Sequence, residues 1–299
     1  AQLVKELEPG LNALFGLEYK RYENQHAEIY TTESSDRAFE EEVMLSGFAN
    51  AQTKAEGAGV SFDEAQETYT ARYTHDTIAL AFAITEEAIE DNLYDRLASR
   101  YTKALARSMS NAKQVKAVTP LIQGLPSTDN YDSGDAVSLF TTNHSTVSGT
   151  AVKNTLTTQA DLNETSLEQA LIDIAAFTDE RGLRVAAKGT KMIVPSANQF
   201  AAERLLKSQG RTGTADNDIN AVVSMGMVPQ GYRVNNFLTD TDSWYIITDV
   251  PNGMKMFQRA ALKTAMEGDF DTGNVRYKAR ERYSFGVSDY RGIFGVEGA

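Results

Sequence analysis

Between Ser46 and Leu80 polar residues dominate, and the apolar positions are too sparse for a core element. The pattern predicts two long extended segments around the tip Glu56-Gly57-Ala58-Gly59. The return half, Thr68–Ala83, is rich in Thr, Tyr and Ile, which fit a pleated strand. The tip glycines give the φ > 0 freedom that a chain reversal needs. A lone two-stranded arm is only marginally stable in water. Such an arm is expected to rest on something else, most simply another copy of the chain.

At Thr85 the period changes. Ile89, Leu93, Leu97, Tyr101, Leu105 and Met109 recur every four positions, which predicts a long helix from Thr85 to about Val118. Thr85 suits the N-cap, and Glu86 and Glu87 complement the helix dipole. Lys113 and Lys116 lie near the far end, and Pro120 is expected to stop the run. At about 1.5 Å per residue this helix spans about 50 Å, more than the width of a compact domain. A four-residue step drifts about 40° per repeat against a 3.6-residue turn, so the apolar stripe winds around the helix. A winding stripe fits a spine covered by different elements along its length; the plain alternative is a long surface helix of an ordinary α/β domain.

Upstream, Pro9-Gly10 is expected to break any early helix, and residues 1–45 read as an arm with a short helix around Ser35–Met44. Downstream, residues 124–165 are loop-rich. A helix is predicted over Ser166–Thr178, capped by Thr165 or Ser166, and another over Ser196–Lys207. Strands are predicted at Met192–Val194, Tyr232–Phe237, Trp244–Thr248 and, by strict alternation, Val275–Val287.

Composition narrows the function. The chain has 299 residues, 41% hydrophobic and 23% charged, with a formal charge of −12 and no cysteine. Disulfides and thiolate metal sites are excluded, and no apolar run is long enough to span a membrane. An acidic chain is not what free nucleic-acid binders show. The densest basic stretch is Arg276, Lys278, Arg280 and Arg282, which share one face of the last predicted strand. It could meet phosphate, but a solvated or subunit-facing sheet edge is the better reading.

Catalytic chemistry is sparse. His26, His75 and His144 lie in different elements without metal-site spacing. No nucleophile elbow or phosphate-binding glycine loop is present. Asp216, Asp218 and Asn220 match part of a calcium loop, but Ala221 and Met227 stand where Gly and Glu are needed, so a capped loop is expected. Asp269, Asp271 and Gly273 form a similar turn. The Arg72, Tyr73, His75, Asp76 cluster is expected to be surface strand polarity rather than an active site.

The ordered motifs carry a resemblance. They are Ser46-Gly47-Phe48-Ala49, Glu56 to Glu64, Tyr69 to His75, Ala83 to Asn92, Leu139-Phe140 with Asn143-His144, Asn154-Thr155-Leu156, Ser166-Leu167-Glu168, Met192 to Pro195, Asp216 to Asn220, Asp242 to Tyr245, and Tyr283 to Gly292. In this order the chain resembles tailed-bacteriophage major capsid proteins of the Hong Kong 97-type fold over most of its length. The resemblance implies an α+β fold with an N-terminal arm (1–45), an extended E-loop (46–82) and a peripheral domain (83–165) with spine helix 85–118. An axial domain (166–265) and a closing strand (266–299) follow.

The implied function is self-assembly into an icosahedral head around double-stranded DNA, which is enclosed without sequence-specific binding. The implied partners are other copies in hexamers and pentamers, portal and scaffolding proteins, and a decoration or cement protein. No membrane is involved, assembly takes place in the host cytoplasm, and no catalytic, cofactor or metal residue is implied. The assembly residues it points to are Glu56, Gly57, Gly59, Phe62, Tyr69, Tyr73, Glu86 and Glu87. The Lys–Asn crosslinking pair of some relatives has no match here. An encapsulin-like compartment shell and a soluble hydrolase with an unrecognised carboxylate site are the alternatives.

Overall fold

The computed structural model describes residues 2–90, 94–128, 130–211, 218–269 and 273–299. Helix α1 (Gln2–Arg21) is followed by strands β1 (Thr31–Ser34), β2 (Phe39–Leu45), β3 (Glu67–Thr74) and β4 (Asp76–Ile84). Helices α2 (Glu86–Glu90), α3 (Tyr94–Gln123) and α4 (Glu164–Ala175) come next. Then come β5 (Gly189–Val194), α5 (Gln199–Lys207), α6 (Ala221–Ser224), β6 (Tyr232–Val234) and β7 (Trp244–Thr248). The chain closes with β8 (Met254–Gly268), β9 (Val275–Val287) and β10 (Ile293–Val296).

Two four-stranded sheets organise these elements. One has the order β1-β8-β9-β4 and the other β10-β7-β5-β6; β2 and β3 form a separate two-stranded hairpin. The first sheet covers one face with α1 and α3. Leu11 and Phe15 of α1, Leu105, Ala106 and Met109 of α3, and Tyr277 and Ala279 of β9 make one buried cluster. The larger cluster surrounds the second sheet and includes Leu167, Ile174, Met192, Trp244, Tyr245 and Phe294. Gly295 lets β10 approach Phe140: a Cβ there would lie 2.5 Å from the ring.

Several expectations give way to packing. Helix α1 runs through Pro9. An interior proline costs about 3 kcal/mol or more, but Leu11 and Phe15 are fully buried by the helix, and each such side chain gains roughly 1.5–3 kcal/mol. The segment Phe39–Leu45, rich in Glu, Met and Leu, is a strand and not part of a helix over Ser35–Met44. It pairs antiparallel with β3, Phe39 opposite Thr74 and Glu41 opposite Arg72. Arg72 lies over the Phe39 ring at 4.1 Å and 3.8 Å from the Glu41 carboxylate. This cross-strand pairing overrides local helix propensity.

The spine helix passes Pro120 and ends at Gln123; residues 91–93, inside the predicted helix, lie outside the described residues. Helix α4 is capped by Asn163, not Thr165 or Ser166: Asn163 accepts from the Ser166 amide, and the Ser166 hydroxyl accepts from the Asn163 amide. Strand β9 matches the predicted Val275–Val287 span, but it lies between β8 and β4 and not at a sheet edge, because both neighbours pair with it along its length. Asp216 and Asp271 of the two candidate cation turns lie outside the described residues. Asn220 caps α6 and donates to the Leu205 carbonyl at 2.7 Å. Among the described residues no cluster of three metal-ligating side chains occurs.

Candidate assembly surface

The hairpin begins at Phe39, earlier than Ser46, and its ladder stops at its neck. The Ser46 amide donates to the Gln66 carbonyl at 2.8 Å, and the Gln66 amide donates to the Ser46 hydroxyl at 2.9 Å. Residues 47–65 then run without strand pairing. At the tip the Ala58 amide donates to the Ala55 carbonyl at 3.1 Å, and Gly57 has φ +78°. Glu56, Gly57 and Gly59 are all exposed. Phe62 is 97% exposed, and Val60 and Phe48 are also exposed. Phe48, Val60 and Phe62 thus leave apolar surface on the loop that the rest of the chain does not cover.

The loop is held at one point along its length. Asp63 accepts from the Ala49 amide at 2.7 Å and lies 3.7 Å from Arg181. Arg181 also donates to the Glu64 carbonyl at 2.6 Å. The Ala49 amide, the largest cause, and the Arg181 charge hold the Asp63 carboxyl below its usual range.

The root of the hairpin is rigid and buried. Tyr73 is 3% exposed and meets Phe257 edge-on at 4.8 Å. Its hydroxyl bonds Ser288, which also bonds Glu42. Lys255 joins Glu42 and Glu33 from β8, the latter at 3.1 Å. Burial lowers the Lys255 pKa, but these two carboxylates outweigh it and the net shift is upward. Tyr69 stacks on Tyr290 at 6.3 Å. Gly286 makes room for the Tyr73 ring, since a Cβ would sit 2.5 Å from it.

His75, between β3 and β4, is buried with its ring nitrogens facing Ser35 (2.9 Å) and Ser284 (3.0 Å). The expectation of surface polarity thus fails for Tyr73 and His75: they are the joint between the hairpin and the sheet. Alternation puts Ala71, Tyr73 and His75 on one face, opposite Arg72 and Thr74, but cannot show that other elements cover that face. Tyr69 and Tyr73 serve the hairpin from below and are not part of its exposed surface. Glu86 and Glu87 are exposed in the first turn of α2, with the Ala88 amide donating to Thr85 at 3.4 Å. No described contact joins them to the hairpin.

A second buried constellation lay unseen in the sequence. His144 Nδ1 faces the Asp135 carboxylate at 2.5 Å, and Asp135 accepts from Ser133 at 2.7 Å. This has the residue types of a hydrolytic triad but not its geometry. His144 Nε2 faces the Leu139 carbonyl (3.2 Å) and Asn154 Oδ1 (3.1 Å), not a nucleophile. Asn154 is oriented by donating to Leu139 and accepting from the Thr141 amide. The ring is stacked on Tyr290 at 3.7 Å. Burial raises the Asp135 pKa, but His144 outweighs it and the net shift is downward. The group locks the 132–154 loops onto the C-terminal segment.

Comparison with known proteins supplies the family. The family model described as phage capsid protein matches residues 67–296. The chain belongs to the phage capsid protein family. It is a major capsid protein, a structural component of the virion whose copies assemble into an icosahedral shell.

Solved structures agree in fold. The capsid of an empty GTA particle matches with TM-score 0.59 at 14% identity, covering 91% of this chain and 89% of that one. A virus-like particle from Pyrococcus furiosus matches with TM-score 0.55 at 10% identity, covering 97% and 98%. The capsid of Myoviridae phage XM1 matches with TM-score 0.53 at 11% identity, covering 91% and 89%. These similarities place the capsid protein in the Hong Kong 97-type fold. No curated protein matches the sequence. The family match starts at the return strand β3, so α1, β2 and the loop 47–65 lie outside it.

Proposed function

We propose that the hairpin Phe39–Thr74 is the clamp by which each capsid subunit holds its neighbours in a head that encloses double-stranded DNA. The observation that carries this reading is the contrast between a rigid root and a naked loop. Tyr73, Glu42 and Lys255 fix the hairpin, while Phe62 at its end is 97% exposed. Such a segment reaches stability by covering its apolar groups on another copy. Glu56, Gly57, Gly59 and Phe62 are the contact residues, Tyr69 and Tyr73 position them, and Glu86 and Glu87 open the spine for a further subunit contact.

On this reading α1–α3 with the β1-β8-β9-β4 sheet form the peripheral domain. The β10-β7-β5-β6 sheet forms the axial domain around the five- and six-fold axes. Scaffolding, portal and decoration proteins are further partners, and the shell protein does no catalysis of its own. A closed heterologous ring multiplies modest contacts into a stable assembly. Its net charge of −12 favours sliding of the enclosed DNA over adhesion. The family match to phage capsid proteins favours a phage head over a cargo compartment. Deletion of residues 51–65 is expected to leave a folded subunit that forms no closed shells. Normal shells from that deletion under negative-stain electron microscopy would end the clamp reading.

A further inference from the structure

The chain carries 41 acidic residues in 299, yet residues 96–128 contain none. The same stretch holds Arg96, Arg100, Lys103, Arg107, Lys113 and Lys116. Two of these pair within the subunit: Lys113 with Glu281 at 3.2 Å and Lys116 with Asp76 at 2.5 Å. Arg100, Lys103 and Arg107 do not. All three are exposed, and no carboxylate pairs with them among the described residues. Steps of three and four residues put them on one face of α3. Like charges at this spacing repel each other and weaken a helix when nothing opposes them.

Lys103 and Arg107 stand on one wall of a groove of about 420 Å³ between α3 and α1. Glu18 and Tyr22 form the α1 wall. Glu18 is already engaged: it accepts from the Tyr22 hydroxyl at 3.1 Å and lies 3.6 Å from Arg21. Ser108 and Asn111 continue the α3 wall, and no aliphatic side chain larger than Ala104 lines the groove. A docked peptide helix needs apolar anchors, which this groove lacks. A nucleic-acid backbone needs only cations and neutral donors. Arg100 to Arg107 span about 10 Å along α3, and over that length one DNA strand sets out about three phosphates.

We infer that the α1–α3 face of the subunit is a contact for the backbone of duplex DNA, with Arg100, Lys103 and Arg107 on successive phosphates. Ser108 and Asn111 donate beside them. Phosphate contacts carry no sequence information, so the DNA is held without base readout. The acidic remainder of the chain repels DNA at longer range. The face therefore engages only the DNA layer next to the shell and leaves the rest to slide. The inference rests on the reading that the head encloses DNA.

Fluorescence anisotropy of a short labelled DNA duplex with full-length, unassembled subunits tests the site. Binding is expected to weaken about 40-fold for a fourfold rise in salt, because each of three phosphates releases about 0.9 counterion. Arg100→Gln with Lys103→Gln and Arg107→Gln is expected to remove that salt dependence, with the unfolding midpoint and the yield of shells unchanged. Arg100→Lys with Arg107→Lys keeps the charge and is expected to keep the binding. No binding by the parent, unchanged binding by the Gln variant, or lost binding by the Lys variant overturns the inference. In particles, amine acetylation read by mass spectrometry is expected to label Lys103 less while DNA is present than after its release. Equal labelling overturns the inference. Protection only in particles that hold an internal protein and no DNA marks a protein-docking face and overturns it too. If particles hold no DNA while subunits bind the duplex through these residues, the DNA-filled head falls and the site stands.

Discussion

Burial holds His26 neutral in this subunit. His26 Nδ1 accepts from the Gln114 side chain at 3.0 Å, which requires a neutral ring. Burial, with the Lys113 charge adding to it, pushes the His26 pKa down to about 4. For His26 the unfolded chain takes up a proton below its ordinary value of 6.5, while the folded chain resists until about pH 4. Stability therefore falls as pH drops between those limits, by up to about 3 kcal/mol. Urea unfolding of the subunit from pH 7.5 to 4 checks this, and His26→Gln is expected to flatten that slope.

At the scale of elements, α3 is tied to the sheet by a buried ion pair. Lys113 reaches Glu281 at 3.2 Å, and Glu281 has no exposed surface. Burial pushes the Glu281 carboxyl up, and Lys113 offsets this only in part. Lys113→Met would leave Glu281 buried and unpaired, at a cost of roughly 3–5 kcal/mol. The double variant Lys113→Met with Glu281→Met is expected to lie near the parent, because it removes both desolvation penalties. A double-mutant cycle on unfolding midpoints measures this, and equal losses in single and double variants would contradict it. The hairpin root is a second joint. Gly286→Ala drives a methyl into the Tyr73 ring and is expected to cost about 1–3 kcal/mol. It should also lower the yield of shells, since the displaced root misaims the loop.

At the scale of the whole molecule, the subunit is a body with two packed sheets, and its loop 47–65 is exposed along most of its length. Both sheets have their own packed cores, and buried ions tie distant segments together. Arg291 joins Asp289 and Glu180 and donates to the Thr178 carbonyl at 2.8 Å. This rigidity lets many weak contacts between copies add without internal compliance absorbing them. If charge pairs seat the loop on its neighbour, assembly weakens with salt, because a Debye length of about 10 Å at 0.1 M shrinks to about 3 Å at 1 M. Sedimentation of shells re-formed at low and at high salt checks this. Equal yields would point to an interface held by its apolar groups alone.

The local signals of sequence determined what local forces determine. Thr85 capped its helix, strict alternation marked β9, and Gly57 turned the loop at φ +78°. The order of motifs, together with the absence of recognisable catalytic spacing, pointed to a capsid fold. Long-range pairing decided the rest. Phe39–Leu45 became a strand only because β3 lies beside it, and α1 passed Pro9 because Leu11 and Phe15 had a sheet to bury against. Strand β8 gave no clear signal: its first half is buried on both faces and its second half on one. Tyr73 and His75, alike in sequence to any polar strand, became the buried root of the hairpin because β9 and Ser35 close over them. Periodicity reports one face of one element, whereas burial depends on which other elements arrive there, and only the tertiary structure holds that information.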